Sequence, residues 1–172
     1  MAVQAILKYP HPLLKKVAHD VVELDDALRG LVTDRVDTMR AGPHSVGVAA
    51  PQIGVSLRIC VVDVSESRHG KDNNHGLLAM VNPVIVERNG RVTMREGCMS
   101  VPDYTGDVER STEIQVCFVD GFSGEERCIQ ASGFEAIAIQ HEMDHLDGLL
   151  FLDRIVSVST GLFRRKQYHA PR

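Results

Sequence analysis

The stretch Ser132-Gly133-Phe134-Glu135-Ala136-Ile137-Ala138-Ile139-Gln140-His141-Glu142-Met143-Asp144-His145-Leu146-Asp147-Gly148 decides how the rest of the chain is read. Ser132 with Glu135 three residues on is a capping-box pattern, and Gly148 is a residue that ends helices. A helix is therefore predicted from just after Ser132 to about Leu146. Phe134, Ile137, Ala138 and Leu146 mark it as buried. Burying two His, a Glu and an Asp along the same helix is costly unless they share a partner that satisfies them.

Outward from this helix the chain reads mostly as strands. Asp25 or Asp26 caps an earlier helix running to about Arg40, with Leu28, Leu31, Val32, Val36 and Met39 at helical spacing, and Gly42-Pro43 ends it. Leu57 to Val64 reads as a strand, and polar Ser65 to Gly76 as a surface loop. Leu77 to Glu87 is apolar with Pro83 inside it, which predicts an edge strand or a bulge. Asn89-Gly90 is a hairpin signal with Val92 to Arg95 as the return strand. Ile114 to Val119 and Glu126 to Ala131 flank a second hairpin turn at Asp120-Gly121-Phe122-Ser123-Gly124. The expectation is an α+β fold, with mostly antiparallel sheets packed around the late helix, in a single domain spanning residues 1–172.

Composition excludes several classes. With 44% hydrophobic and 24% charged residues the chain is ordinary globular material, and its net charge of −4 gives no general attraction to nucleic acid. No apolar run approaches the roughly 20 residues that span a bilayer, and the first residues lack the features of a secretory signal. Cys60, Cys117 and Cys128 each read as a small buried hydrophobe in a strand, so a reduced, cytoplasmic setting is expected. The basic cluster Arg164-Arg165-Lys166, with Arg172, reads as a solvated tail.

The chemistry lies in Gln140-His141-Glu142-Met143-Asp144-His145. Histidines four apart share a helix face with Cβ atoms about 5–6 Å apart, so both imidazoles can reach one metal ion. Glu142 points about 100° around the helix from His141, which makes it a base for an attacking water rather than a third ligand. Two His leave a tetrahedral site one protein ligand short. Downstream candidates are Asp147, Asp153 and His169. Upstream, Glu96-Gly97-Cys98-Met99-Ser100 offers Cys98 in a turn after a strand, and its thiolate would complete a Cys-His-His set with one position open. Such a set accepts Fe, Co, Ni or Zn. Ser45-Val46-Gly47-Val48-Ala49-Ala50-Pro51-Gln52 is a small-residue turn whose Gln52 amide could serve a developing oxyanion. Phe134, Ile137 and Ala138 recur at helical spacing with His141, so the ligand-bearing face can also line a pocket, with Val46 and Met94 beside it. Asp144, between two ligands, needs a cation of its own.

These three segments, in this order, resemble the motifs of the peptide deformylase family: Gly-x-Gly-Leu-Ala-Ala-x-Gln, Glu-Gly-Cys-Leu-Ser and Gln-His-Glu-x-Asp-His. The similarity covers about residues 6 to 155, including an opening at Tyr9 to Leu14. It implies removal of the N-formyl group from the formyl-methionine of nascent polypeptides, releasing formate, with Fe(II) as the usual metal. Substrates would be N-formylated nascent peptides met at the ribosome. It implies Cys98, His141 and His145 as ligands, Glu142 as general base, Gln52 and the Met99 N–H as oxyanion donors, Gly47 close to the peptide, and Arg110 as the basic partner of Asp144. Departures are Ser45, Val48 and Met99 within the motifs, Thr105 where some members carry an Arg that helps hold the substrate backbone, and no long charged helix after Asp153.

Three other readings compete. An endopeptidase would share the two-His helix, although a Cys ligand from upstream argues against it. A structural metal site would need four protein ligands and would leave Glu142 without a role. A formyl-peptide binding module would not need Glu142.

Overall fold

The computed structural model describes residues 3–165; Lys166, His169 and Arg172 lie outside the described residues. Its eight strands form two antiparallel sheets. The strands are β1 (Gly47–Ala49), β2 (Ile59–Val62), β3 (Leu78–Asn89), β4 (Val92–Cys98), β5 (Val101–Arg110), β6 (Glu113–Asp120), β7 (Glu126–Ser132) and β8 (Leu162–Arg164). One sheet has the order β1-β2-β3-β6-β7 and the other β4-β5-β8. The helices are α1 (Asp26–Ala41), α2 (Gly133–Leu146) and the short α3 (Val158–Gly161). The α+β expectation is met.

β2 shows how the large sheet is covered. All four of its residues are buried, and side chains alternate across a strand. Ile59 and Val61 join Val32, Val36 and Met39 of α1, whereas Cys60 and Val62 join Ala136, Ile139 and Leu146 of α2. Apolar residues lie on every side of α2, so it is a core helix rather than a surface one. The smaller sheet closes the third side through Leu14, Val101, Val108, Leu150 and Phe151. α1 starts as predicted, with the Asp25 carboxylate accepting the Leu28 N–H at 2.9 Å.

Several details differ from the sequence reading. The capping box does not form. Ser132 precedes α2 but makes no side-chain cap, its hydroxyl instead accepting from Asn73 Nδ2 at 2.7 Å. Glu135 takes both the His75 N–H and His75 Nδ1 at 2.7 Å, so these residues tie the loop before β3 to the helix start. At the other end Gly148 is required twice over, because its φ is +71° and a Cβ would lie 2.9 Å from the backbone of Lys15 and Lys16.

The Asn89-Gly90 turn does not build a hairpin. β3 pairs β6, down to Asn89 with Glu113, while the turn hands the chain to the other sheet, where β4 pairs β5. Of the two readings of Pro83 the edge strand fails and the bulge holds: β3 is interior, and Pro83 lies at a register shift between Val81 and Val84. There Asn82, with φ +50°, exchanges two hydrogen bonds with the Val21 backbone.

Cys117 and Cys128 are not buried free thiols. They face each other in the β6–β7 register on the less buried face of the hairpin and form a disulfide, which leaves Cys60 and Cys98 as the free cysteines. Nor is the basic C-terminal cluster wholly a tail. Leu162 and Phe163 are half-buried against β5, so Arg164 ends a strand and Arg165 follows it onto the molecule.

Candidate active site

β4 and α2 bring the three candidate sulfur and nitrogen ligands together. Cys98 ends β4 at the turn into β5, where it pairs Val101, and His141 and His145 are one helical turn apart on α2. The ligand atoms of Cys98, His141 and His145 all lie within 4.8 Å of one another. Cys98 Sγ is 3.3 Å from His145 Nε2. Ligands bound at about 2.0–2.3 Å to one tetrahedral centre stand about 3.3–3.8 Å apart, so the set fits a metal ion. Asp147 and Asp153 are engaged elsewhere, with Arg58 and Lys15.

Burial alone would raise the Cys98 thiol, but the His145 and His141 imidazoles beside it hold it well below its ordinary value. For His141 burial works downward, and the hydrogen bonds to Cys98 and Glu96 more than offset it, so its pKa is raised. The cluster thus favours thiolate, the form that binds metal.

Behind His141 runs a network of charges. His141 Nδ1 meets Glu96 Oε2 at 2.8 Å, which leaves Nε2 for the ligand site. Arg110 donates to both oxygens of Glu96, through Nε at 2.8 Å and Nη2 at 2.9 Å, and its Nη1 donates to Asp144 at 2.5 Å. Asp144 also accepts two bonds from Arg154, at 2.6 and 2.8 Å. Burial would raise the Glu96 carboxyl, yet Arg110 and His141 pull it down to about 2. Glu96 and Arg154 were not anticipated from sequence. Strand alternation puts Glu96 on the same face as Cys98 and could have flagged it, whereas nothing marked Arg154.

Glu142 lies on the cavity side of the ligands, and burial pushes its carboxyl up to about 7 against the opposing pull of His141 and His145. Its Oε2 is buried with no partner among the described residues. Gly47 stands directly against it: a Cβ on Gly47 would come within 2.5 Å of Glu142 Oε1. The missing side chain at Gly47 therefore makes room for the carboxylate.

Gln52 is 2% exposed and fully engaged. Its Oε1 accepts the Ala49 N–H at 2.9 Å, which turns Nε2 toward Ser100 Oγ at 3.2 Å and Cys98 Sγ at 3.4 Å.

A cavity of about 420 Å³ opens over this floor, with all five predicted pocket residues, Val46, Met94, Phe134, Ile137 and Ala138, in its wall. Gly47, Gln52, Cys98, Met99, His141 and Glu142 line it as well, and so does Arg165. His145 lies behind them, 1% exposed. The cavity sits between β1 and β4, each of which is one edge strand of its sheet.

Comparison with known proteins agrees with this geometry. The chain is 43% identical over 166 residues to a peptide deformylase of Syntrophobacter fumaroxidans, covering 96% of this chain and 94% of that one. It is 43% identical over 155 residues to one of Heliobacterium modesticaldum, covering 90% and 95%. Among solved structures, the Ehrlichia chaffeensis peptide deformylase in complex with actinonin superposes with a TM-score of 0.85 at 36% identity, covering 92% of each chain. The Thermotoga maritima peptide deformylase gives 0.81 at 34% identity, covering 91% of this chain and 100% of that one. With the polypeptide deformylase family model matching residues 3–160, the chain belongs to that family.

Proposed function

We propose that this chain, acting as one catalytic domain over residues 1–172, hydrolyses the N-terminal formamide of formyl-methionyl peptides and releases formate. The observation that carries the reading is the convergence of Cys98, His141 and His145 beside a buried carboxylate, Glu142, held near neutrality at the floor of a cavity. A divalent ion held by these three residues would supply Lewis acidity, polarising the formyl carbonyl and making water a better nucleophile. We take Fe(II) as the native ion, although the ligand set also suits Zn, Ni or Co.

The remaining work falls to the protein. Glu142 takes a proton from the attacking water as oxygen adds to the formyl carbon, and gives a proton to the amine nitrogen as the C–N bond breaks. Gln52 Nε2 and the Met99 N–H donate to the carbonyl oxygen as negative charge develops. Glu96, Arg110 and Asp144 orient His141 from behind. The free edges of β1 and β4 support an extended peptide lying between them, paired through its backbone. A peptide antiparallel to β4 with its formyl end at Cys98 would drop its first side chain among Val46, Met94, Phe134, Ile137 and Ala138. N-formylated nascent peptides met at the ribosome are the proposed substrates and the cytoplasm the proposed setting. Among the described residues no helix is long and apolar enough to cross a membrane.

The test is formate release from a formyl-Met peptide by chain reconstituted anaerobically with each metal, alongside Glu142→Gln. The variant should keep its metal and lose about 10²–10⁴ in turnover. Near-normal activity in the variant, or cleavage of casein without formate release, would overturn the reading.

A further inference from the structure

Arg165 brings the C-terminal segment into the cavity wall, and among the described residues no ion pair uses its charge. Its N–H donates to the Asp103 carbonyl at 2.7 Å, continuing the β5–β8 pairing by one residue. From there the side chain crosses β5 to β4. A Cβ on Gly97 would overlap Arg165 Nη2, so the guanidinium occupies the space that Gly97 leaves over the edge strand. No carboxylate among the described residues is within ion-pair distance of it. The other arginine on the cavity rim is already committed: Arg95 Nε is 3.4 Å from Asp107 Oδ1, and its guanidinium carbon is 3.4 Å from the Phe163 ring centroid.

Strand alternation says which part of a peptide this cation meets. Met94, Glu96 and Cys98 turn toward the ligand site, so Arg95 and Gly97 occupy the opposite face of β4. Residues paired directly across a sheet share a face, which adds Thr105, opposite Gly97, and Phe163, opposite Thr105. Arg165, two residues after Phe163, belongs to the same face. A peptide added to the β4 edge with its first side chain in the cavity must turn its second toward the Arg165 guanidinium.

We propose that Arg165 is a specificity-determining residue, selecting peptides with an acidic side chain at the second position; this rests on the deformylase reading above. The contact is a solvent-accessible ion pair with a bidentate donor, so its effect is a preference and not an absolute requirement.

The test compares formyl-Met-Glu-Ser, formyl-Met-Gln-Ser and formyl-Met-Lys-Ser on metal-loaded wild type, Arg165→Gln, Arg165→Lys and Arg95→Gln. Acetyl-capped versions of the same peptides are titrated calorimetrically in parallel, which needs no turnover. Wild type should favour Glu over Lys by about threefold to tenfold in kcat/KM, with Gln between. Raising salt should shrink the ratio. Arg165→Gln should bring it below about twofold, Arg165→Lys should retain part of it, and Arg95→Gln should leave it in place. Equal rates and affinities for the three peptides on wild type, or the same ratio in Arg165→Gln, would overturn the proposal while leaving deformylation standing. A binding preference for Glu that depends on Arg165, without formate release, would support the contact and defeat the deformylase reading instead.

Discussion

Asp144→Asn is the substitution that best separates a buried electrostatic network from a decorative one. The Asp144 carboxylate is 5% exposed and accepts three N–H groups, one from Arg110 and two from Arg154. Arg110 is 4% exposed, and among the described residues its acceptors are Glu96 and Asp144. Asn keeps the shape and one acceptor oxygen, but puts an NH₂ group where guanidinium N–H groups point. Removing one partner of a buried pair costs about 3–5 kcal/mol. The lower end applies here, because Arg110 keeps Glu96 and the Arg154 side chain is 44% exposed. For a domain of this size a loss of about 3 kcal/mol lowers Tm by about 6–12 °C.

The chain has no Trp, so far-UV circular dichroism is the practical probe of urea unfolding. The measurement should be made with chelator and again with saturating metal. Because Asp144 acts through Arg110 and Glu96 on His141, the variant should also bind metal about 10–100-fold more weakly, and the difference between variant and wild type should widen when metal is present. Arg154→Met is the control. It removes only the exposed cation and should cost under about 1 kcal/mol. The reasoning is refuted if Asp144→Asn unfolds within about 1 kcal/mol of wild type, or if Arg154→Met costs as much.

Gly47→Ala should cut kcat by at least about tenfold with a much smaller change in Tm, since the added Cβ meets the Glu142 carboxylate and not the core; equal kcat with an unchanged Glu142 position in a crystal structure would count against the contact. Gln52→Ala should lower kcat by about 10²–10³ if the amide serves the oxyanion. An effect confined to KM would mean that its bonds to Ala49 and Ser100 are its whole role. Cys98 should resist iodoacetamide in the metal-loaded protein and react after chelation, as expected of a ligated thiolate; equal labelling in both states would remove it from the ligand set.

What could be read ahead of the structure was whatever depends on local geometry alone. Histidines four apart on a helix must share a face, so His141 and His145 were legible, and a Gly-flanked Cys98 at a strand end completed them. The pocket face of α2 followed from the same periodicity. Pairing between distant strands was not legible. Asn89-Gly90 is a strong turn signal, but a turn does not choose its partner, and β3 pairs β6 while β4 pairs β5. The turn that pairs β4 in a hairpin, Met99-Ser100 before β5, has neither Gly nor Pro to announce it. Cys117 and Cys128 stand symmetrically about the β6–β7 turn, a relation visible in the sequence once that hairpin is accepted. Ser132 and Glu135 misled for a different reason. Their groups satisfy Asn73 and His75, partners brought by a loop some 60 residues earlier.

The division of labour between the two sheets explains why the candidate metal ligands come from where they do. α2 is fixed by the large sheet, while Cys98 and Glu96 belong to the small one, so the site exists only when the small sheet is docked against α2. The same junction is crossed by Arg110, which leaves β5 to meet Asp144 on α2, and by Glu96, which leaves β4 to meet His141. A metal held by Cys98, His141 and His145 would therefore act across the same interface as the ion network, the first on its cavity side and the second at its back. An ion bound by residues of both sheets stabilises the docked state by the full free energy of its binding. Chelation should accordingly weaken the contact between the small sheet and α2 more than the core between α1, α2 and the large sheet. In hydrogen exchange, β4 and β5 should lose protection on metal removal while β2 and β3 keep theirs.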